Sequence, residues 1–111
     1  MISITISKTQ GVYRQLSCSG HAMYDKKGRD IVCAAASVLV INTLNAIEKL
    51  TDTKVVASSD ATNGNILAVF SEPLDGGARL LLDAMVMGLE EIKRQYGKRY
   101  ISFQVREVES C

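Results

Sequence analysis

Residues 20–37 read GHAMYDKKGRDIVCAAAS, and the rest of the chain is arranged on either side of this segment. Asp30 is a residue type that caps helices, because its carboxylate accepts hydrogen bonds from the free amides of a first turn. We therefore predict a helix from Ile31 to Leu50, with Cys33 as its third residue. The preceding segment, residues 19–29, has a glycine near each end and is predicted to be a loop.

The predicted first helix is apolar on most of its sides. Charged residues occur only in its last turns. A helix of this kind is either buried or covered by a second subunit. One of its faces is formed by Ile31, Ala34, Ala35, Val38, Leu39 and Asn42.

Short strand patterns lie before and after this helix. In the first of them, Ile2, Ile4 and Ile6 alternate with serine and threonine, which is the period of a strand with one buried face. The dipeptide Asn63-Gly64 favours a tight turn between two strands, because both residues tolerate a positive φ. The predicted strands cover residues 2–7, 12–18, 54–58, 65–71 and 100–108.

A second helix is predicted from Ala78 to Tyr96, where leucine, methionine and isoleucine recur at helical spacing. Gly97 is a residue type that ends helices. The order of elements is therefore ββαββαβ. Hairpins give antiparallel pairs, and two helices can cover one face of a sheet. The sequence predicts a single two-layer α+β domain over residues 1–111, with a mainly antiparallel sheet and two helices.

Composition excludes several classes of protein. The 111 residues give room for one domain, and with 47% hydrophobic but only 5% aromatic residues its core is aliphatic. A net charge of +1 gives no reason to expect a nucleic-acid or membrane partner. No apolar run reaches the roughly 18 residues of a membrane span. The chain start does not resemble a signal peptide, and three cysteines without one predict reduced thiols in a cytoplasmic protein.

The chemistry that residues 20–37 offer is that of a cysteine nucleophile. A thiol in the first turn of a helix lies in the field of the helix dipole and near free amides, and both lower its pKa. His21 is the single histidine of the chain and the candidate base for Cys33. The free amides at the predicted helix start are the candidate oxyanion hole. The alternative is that Cys33 is an ordinary core thiol.

Two further polar residues share a helical stripe with Cys33, since Asp30 precedes it by three positions and Ser37 follows it by four. Asp30 either caps the helix or orients His21, and the repulsion between a carboxylate and a thiolate favours the cap. Ser37 either holds the loop or lines the cleft, or else it donates a hydrogen bond to the carbonyl of Cys33.

Two other chemistries compete with hydrolysis. Cys18, His21 and Cys33, with Cys111 as a fourth, offer ligands for a metal ion, but no Cys-x-x-Cys pair supports such a site. Cys18 and Cys33 are also the candidates for a redox pair. We expect neither a metal nor any other cofactor.

The signature of the ribosomal-processing cysteine protease (Prp) family resembles this segment closely, and the length and element order of the whole chain agree with that family. The matching positions are Gly20-His21-Ala22, Gly28, Asp30-Ile31-Val32-Cys33-Ala34-Ala35 and Ser37. The resemblance implies that Cys33 is the nucleophile and His21 its catalytic partner. It places Gly20, Asp30 and Ser37 at supporting or substrate-binding positions.

The same resemblance implies what such a protein does. It would be an endopeptidase of ribosome biogenesis that removes a short N-terminal extension from the bacterial large-subunit ribosomal protein L27. It would act as a homodimer, without a metal, through a single cysteine protease domain spanning residues 1–111. A non-catalytic ribosome-associated binding protein is the alternative.

The mechanism that follows from the resemblance begins when residues 19–29 open to admit an extended peptide. The Cys33 sulfur, kept ionised by His21, attacks the scissile carbonyl, and the helix-start amides stabilise the oxyanion. His21 then protonates the leaving amine, and water resolves the thioester. Since the family's substrate has apolar and aromatic residues before the cut, we expect an apolar groove beside Cys33, with Met23 and Tyr24 as candidates for its lining.

Overall fold

The computed structural model describes residues 1–20, 27–59, 65–97 and 99–109, and for residues 27–30 it describes the backbone alone. Within these ranges the chain forms five strands and two helices in the predicted order. The strands are β1 (Ile2–Thr9), β2 (Val12–Ser19), β3 (Val55–Ser59), β4 (Ile66–Phe70) and β5 (Ile101–Glu107), and the helices are α1 (Lys27–Leu50) and α2 (Gly76–Tyr96). The predicted α+β order is confirmed.

The five strands form one sheet in the order β3-β4-β2-β1-β5. Three of the neighbouring pairs are antiparallel, and β5 lies parallel to β1. In this register Cys18 lies beside Ile4, and Ile4 in turn lies beside Phe103. The sheet is therefore mainly antiparallel, as predicted, and its buried side chains share one face.

That face packs against the two helices and forms an aliphatic core. On β1 the alternation works as predicted, because Ile2, Ile4 and Ile6 are buried while the serines and threonine between them are not. The core residues of α1 are Val32, Cys33, Ala36, Val40, Leu44 and Ile47. Those of α2 are Ala78, Leu82, Met85 and Leu89.

The start of α1 differs from the prediction. The helix begins at Lys27, so residues 27–29 are helical rather than part of a loop, and Asp30 lies inside the helix rather than at its N-cap. A capping side chain contributes only about 1 kcal/mol. One further turn of helix satisfies the same amides with backbone carbonyls, so a good capping residue does not by itself fix a helix boundary.

The second helix begins two residues before its predicted start and ends as predicted. Asp75 caps it, because the side chain accepts a hydrogen bond of 2.6 Å from the amide of Gly77. At the other end the amide of Gly97 donates to the carbonyl of Lys93 at 2.8 Å. The cap at Asp75 offsets the poor helix propensity of the two glycines that open α2.

The face of α1 that carries Ile31 and Val38 lies outside the core, with these side chains 59% and 66% exposed. By length and composition, residues Ile31–Leu50 also meet the requirements of a membrane span, with a mean hydropathy of 1.7, although no span was predicted. The search for an uninterrupted apolar run did not find this segment, because serine, threonine and asparagine occur between its apolar residues. The opposite side of the helix, including Val40 and Ile47, is buried against the sheet, as in a core helix.

Candidate active site

Gly20 directly follows β2 and adopts a left-handed conformation, with φ at 78°. A Cβ atom at this position would lie 2.5 Å from the carbonyl oxygen of Met1, which is closer than such atoms approach one another. Only glycine fits here without a backbone shift. Because Met1 precedes β1, the backbone just after β2 passes close to the start of β1 at the point where the chain leaves the sheet.

Cys33 lies on the inward side of α1 and is 2% exposed. It is the seventh residue of the helix, which places it about 9 Å along the axis from the first. The field of a helix terminus falls off within the first turn. The predicted lowering of the thiol pKa by the helix start therefore does not apply at Cys33.

The predicted oxyanion hole is corrected for the same reason. Free amides occur only in the first turn of a helix, and that turn now begins at Lys27. The amide of Cys33 lies beyond it, where amides bond to carbonyls of the preceding turn. The helix start therefore offers no free amide next to the sulfur.

Cys18 is the second buried thiol of this region and belongs to the same core cluster as Cys33. Burial raises the pKa of Cys18, and negative charge on the nearby Cys33 raises it further, to about 11. A thiol with such a pKa is neutral at pH 7 and a poor nucleophile. This environment argues against Cys18 as the nucleophile.

Ser37 lies one turn after Cys33, and its Oγ atom is buried without a hydrogen-bond partner among the described residues. The predicted bond to the carbonyl of Cys33 is therefore not formed. On the same helix Thr43 does form this kind of bond, with its hydroxyl 2.7 Å from the carbonyl oxygen of Leu39. Leaving a buried hydroxyl unpaired costs about 1–3 kcal/mol of stability. The Ser37 hydroxyl would therefore gain free energy by donating a hydrogen bond to a bound group.

The remaining predicted positions lie partly outside the described residues. The backbone of Asp30 is helical one turn before Cys33, which rules out the N-cap role, while the role of orienting His21 stays a prediction. His21, Met23, Tyr24 and Cys111 fall outside the described ranges. In the ranges described, no group of three or more histidine, cysteine, aspartate or glutamate residues is placed to hold a metal ion.

A cavity of about 460 Å³ opens beside Cys18, and nothing in the sequence indicated it. It lies where β2, β3 and β4 meet at one end of the sheet, since Cys18 pairs with Ile66 and Ile66 pairs with Ser59. Its described lining consists of Ser17, Cys18, Ser19, Ser58, Ser59, Asn65, Ile66 and Leu67. The pairing of β2 with β4 joins segments far apart in the chain, so no local pattern could have revealed the site.

Comparison with known proteins places this arrangement in a family. The family model described as Cysteine protease Prp matches residues 1–102. The ribosomal processing cysteine protease Prp of Mycoplasma pneumoniae is 32% identical over 106 residues, which are 94% of this chain and 94% of that protein. The Bacillus subtilis protein of the same name is 31% identical over 102 residues, covering 86% of this chain and 90% of its own length.

Solved structures show the same fold. The Staphylococcus aureus ribosomal processing protease Prp in complex with a substrate peptide matches with a TM-score of 0.86 at 26% identity, over 95% of this chain and 99% of that one. The S. aureus protease with a covalently linked product peptide matches with a TM-score of 0.83 at 28% identity, with the same coverage. The chain therefore belongs to the Prp family of ribosomal processing cysteine proteases.

Proposed function

We propose that this protein is the endopeptidase that removes the N-terminal extension of ribosomal protein L27, with Cys33 as nucleophile and His21 as base. As a member of the family it is a cysteine protease. The observation that carries the assignment of the nucleophile is the position of Cys33 within the segment that resembles the family signature. Cys18 lies outside that segment, and burial and the charge of Cys33 raise its pKa to about 11, which makes it a poor nucleophile at neutral pH.

The solved relatives support a covalent mechanism. The S. aureus protease has been captured with a substrate peptide and with a covalently linked product peptide. A covalent link to a peptide is what nucleophilic catalysis by a thiolate produces. In the mechanism proposed for this chain, the Cys33 sulfur attacks the scissile carbonyl, and His21 carries the proton to the leaving amine.

The developing oxyanion needs a donor, and the start of α1 does not supply one next to the sulfur. Among the described side chains of α1, the hydroxyl nearest to Cys33 in sequence is that of Ser37, and its Oγ atom is buried without a partner in the described part of the chain. In the proposed mechanism this hydroxyl donates to the tetrahedral intermediate.

We also propose that the protein acts in the cytoplasm, where reducing conditions keep the thiol active.

The function is tested by incubating the purified protein with a peptide that carries the L27 extension of the same organism and analysing the products by mass spectrometry. The proposal expects a single cut that releases the extension. Tight binding of the peptide without any cleavage would instead identify the protein as a ribosome-associated binding protein.

The ionisation of Cys33 gives a second prediction. In a Cys18→Ala, Cys111→Ser protein, the rate of alkylation by iodoacetamide against pH should follow an apparent pKa well below the value of about 8.5 for an ordinary thiol. The His21→Ala substitution should move this pKa upward, because a protonated imidazole favours the thiolate. An apparent pKa of about 8.5 or higher in the protein with His21 intact would refute an activated sulfur.

We propose further that the protein is a homodimer that covers the exposed apolar face of α1. Ile31, Val38 and Ile41 are 59%, 66% and 42% exposed on this face. An apolar patch of this kind on one chain is typical of an interaction surface.

Sedimentation velocity at micromolar concentration should therefore show a dimer that the Val38→Glu substitution converts to a monomer. The matched control is Val56→Glu, at a side chain that is 71% exposed on the sheet face away from the helices, which should leave the dimer intact. A parent protein that sediments only as a monomer would rule out this interface.

A further inference from the structure

The proposed hydrolysis uses one of two buried thiols in this region and leaves the other, Cys18, without a role. Cys18 lies one residue before the end of β2 and is 1% exposed. Its neighbours across the sheet are Ile4 on β1 and Ile66 on β4. Cys18 belongs to the core that faces the helices. Since a buried thiol often serves only as a small apolar residue, a role for Cys18 depends on what lies opposite it.

The first helix lies over the side of the sheet formed by β3, β4 and β2. α1 contacts β3 and α2 contacts β5, and these two strands are the opposite edges of the sheet. The last turns of α1 are anchored at the start of β3, because a carboxylate oxygen of Glu48 accepts a hydrogen bond of 2.6 Å from the amide of Val55. β2 and β3 run in the same direction, since both are antiparallel to β4. Followed backward from Glu48, the helix therefore extends over the sheet toward the end of β2, where Cys18 lies.

Cys33 lies in these early turns of α1, on the side that faces the sheet, and it is 2% exposed. The next inward residue of the helix, Ala36, is fully buried and small, so it allows the helix to pack close to the strands. The two sulfurs are near enough that negative charge on Cys33 raises the pKa of Cys18. The structure thus brings the proposed nucleophile and a second thiol together inside one core.

We propose that Cys18 and Cys33 form a reversible disulfide when a peroxide oxidises the nucleophile, so that Cys18 protects Cys33 from irreversible oxidation. The inference rests on the proposed peptidase function, because it takes Cys33 as a reactive thiolate. The passage that brings a peptide carbonyl to this sulfur also admits hydrogen peroxide, which is far smaller. A disulfide needs the two Cβ atoms within about 4.5 Å of each other, which is the range of side chains in contact.

The reaction takes place in two steps. The Cys33 thiolate attacks one oxygen of hydrogen peroxide, the O–O bond breaks, and Cys33 becomes a sulfenic acid while hydroxide leaves. The Cys18 sulfur then attacks the Cys33 sulfur, the S–O bond breaks, and the departing hydroxide takes the proton of the Cys18 thiol to form water. The two sulfurs together lose two electrons, and the peroxide gains them. A dithiol restores both thiols by exchange.

The first step favours the second. Once Cys33 is a neutral sulfenic acid, it no longer carries the charge that helps to raise the pKa of Cys18, so the Cys18 thiol ionises more readily. Without a second thiol, further peroxide converts the sulfenic acid to a sulfinic acid, which a dithiol does not reduce.

The test uses a Cys111→Ser protein as the reference, so that Cys18 and Cys33 are its remaining thiols. The reduced protein is treated with a small excess of hydrogen peroxide, unreacted thiols are alkylated with iodoacetamide in denaturant, and the intact mass and a peptide map are recorded. The chain should lose two hydrogen atoms, take up no alkyl group and give a cross-linked pair of peptides that contain Cys18 and Cys33. Cross-links between two chains, alkylation of both thiols, or a Cys33 that gains oxygen while Cys18 is alkylated would each overturn the proposal.

The matched variant is Cys18→Ala in the same background. After peroxide treatment its Cys33 should gain two or three oxygen atoms, and dithiothreitol should restore less than about a tenth of its peptide cleavage, whereas the reference should recover most of its own. Equal recovery in the two proteins would refute protection by Cys18. A reduced reference protein that never cuts the L27-extension peptide refutes the peptidase function, and the peptide map then still decides whether the disulfide forms. Thermal melts of both reduced proteins show that they are folded.

Discussion

Cys33→Ala is expected to abolish cleavage of the L27-extension peptide, lowering kcat/KM by about 10³-fold or more. The reason is that the acyl-enzyme needs a thiolate, and the other described thiol of the region is held neutral by burial and by the charge of Cys33 itself. The measurement is peptide cleavage followed by chromatography, with a thermal melt to show that the variant is folded.

The matched control is Cys18→Ala, which removes a sulfur that is equally buried, at 1% exposure against 2% for Cys33. Its kcat should stay within about threefold of the parent value, because Cys18 is neutral at pH 7 and takes no part in the proposed chemistry. Cleavage by Cys33→Ala at the parental rate, or loss of kcat in Cys18→Ala, would show that the nucleophile has been assigned wrongly.

The second large effect is expected at Gly20, where substitution by alanine should lower the free energy of unfolding by about 2–4 kcal/mol. A left-handed conformation costs a residue with a Cβ about 1–2 kcal/mol. At Gly20 the added atom would also lie 2.5 Å from the carbonyl oxygen of Met1, which is backbone and cannot rotate away. Urea denaturation measures the loss.

Gly11→Ala separates these two contributions. Gly11 has a φ of 76°, almost the same as the 78° of Gly20, but a Cβ there would meet no atom within 4 Å. It should therefore lose only the conformational part, about 1–2 kcal/mol. Equal losses at the two glycines would contradict the close approach of Gly20 to the start of β1.

The order of elements could be predicted because it depends on local periodicity. Ile2, Ile4 and Ile6 alternate as a strand does, and Leu82, Met85 and Leu89 recur as on a helix, and all of these side chains are buried. The parallel pairing of β5 with β1 could not be read in the same way, because it joins the two ends of the chain. The periodicity of a short segment does not indicate which distant segment it pairs with.

The candidate site was predictable to a different degree. The motif placed Cys33 and Ser37 on one stripe of a helix, and the structure keeps them there, both on the inward side of α1. The prediction that a helix start activates the thiol was wrong. It took Asp30 as the N-cap on a capping preference worth about 1 kcal/mol, and the helix instead begins at Lys27. The cavity beside Cys18 could not be predicted, because it is assembled from strands that are distant in sequence.

The environment of Cys18 also sets an alkaline limit on the folded protein. Its pKa is raised above that of an ordinary thiol to about 11 in the fold, so between the ordinary value and about 11 the unfolded chain has released a proton that the native chain keeps. The free energy of unfolding therefore falls as the pH rises through this range, whereas below the ordinary thiol pKa the stabilising contribution of this thiol is fully present. Cys18→Ala should therefore lose less stability than the unmodified protein between pH 8 and pH 10, as chemical denaturation of both proteins at the two pH values would reveal.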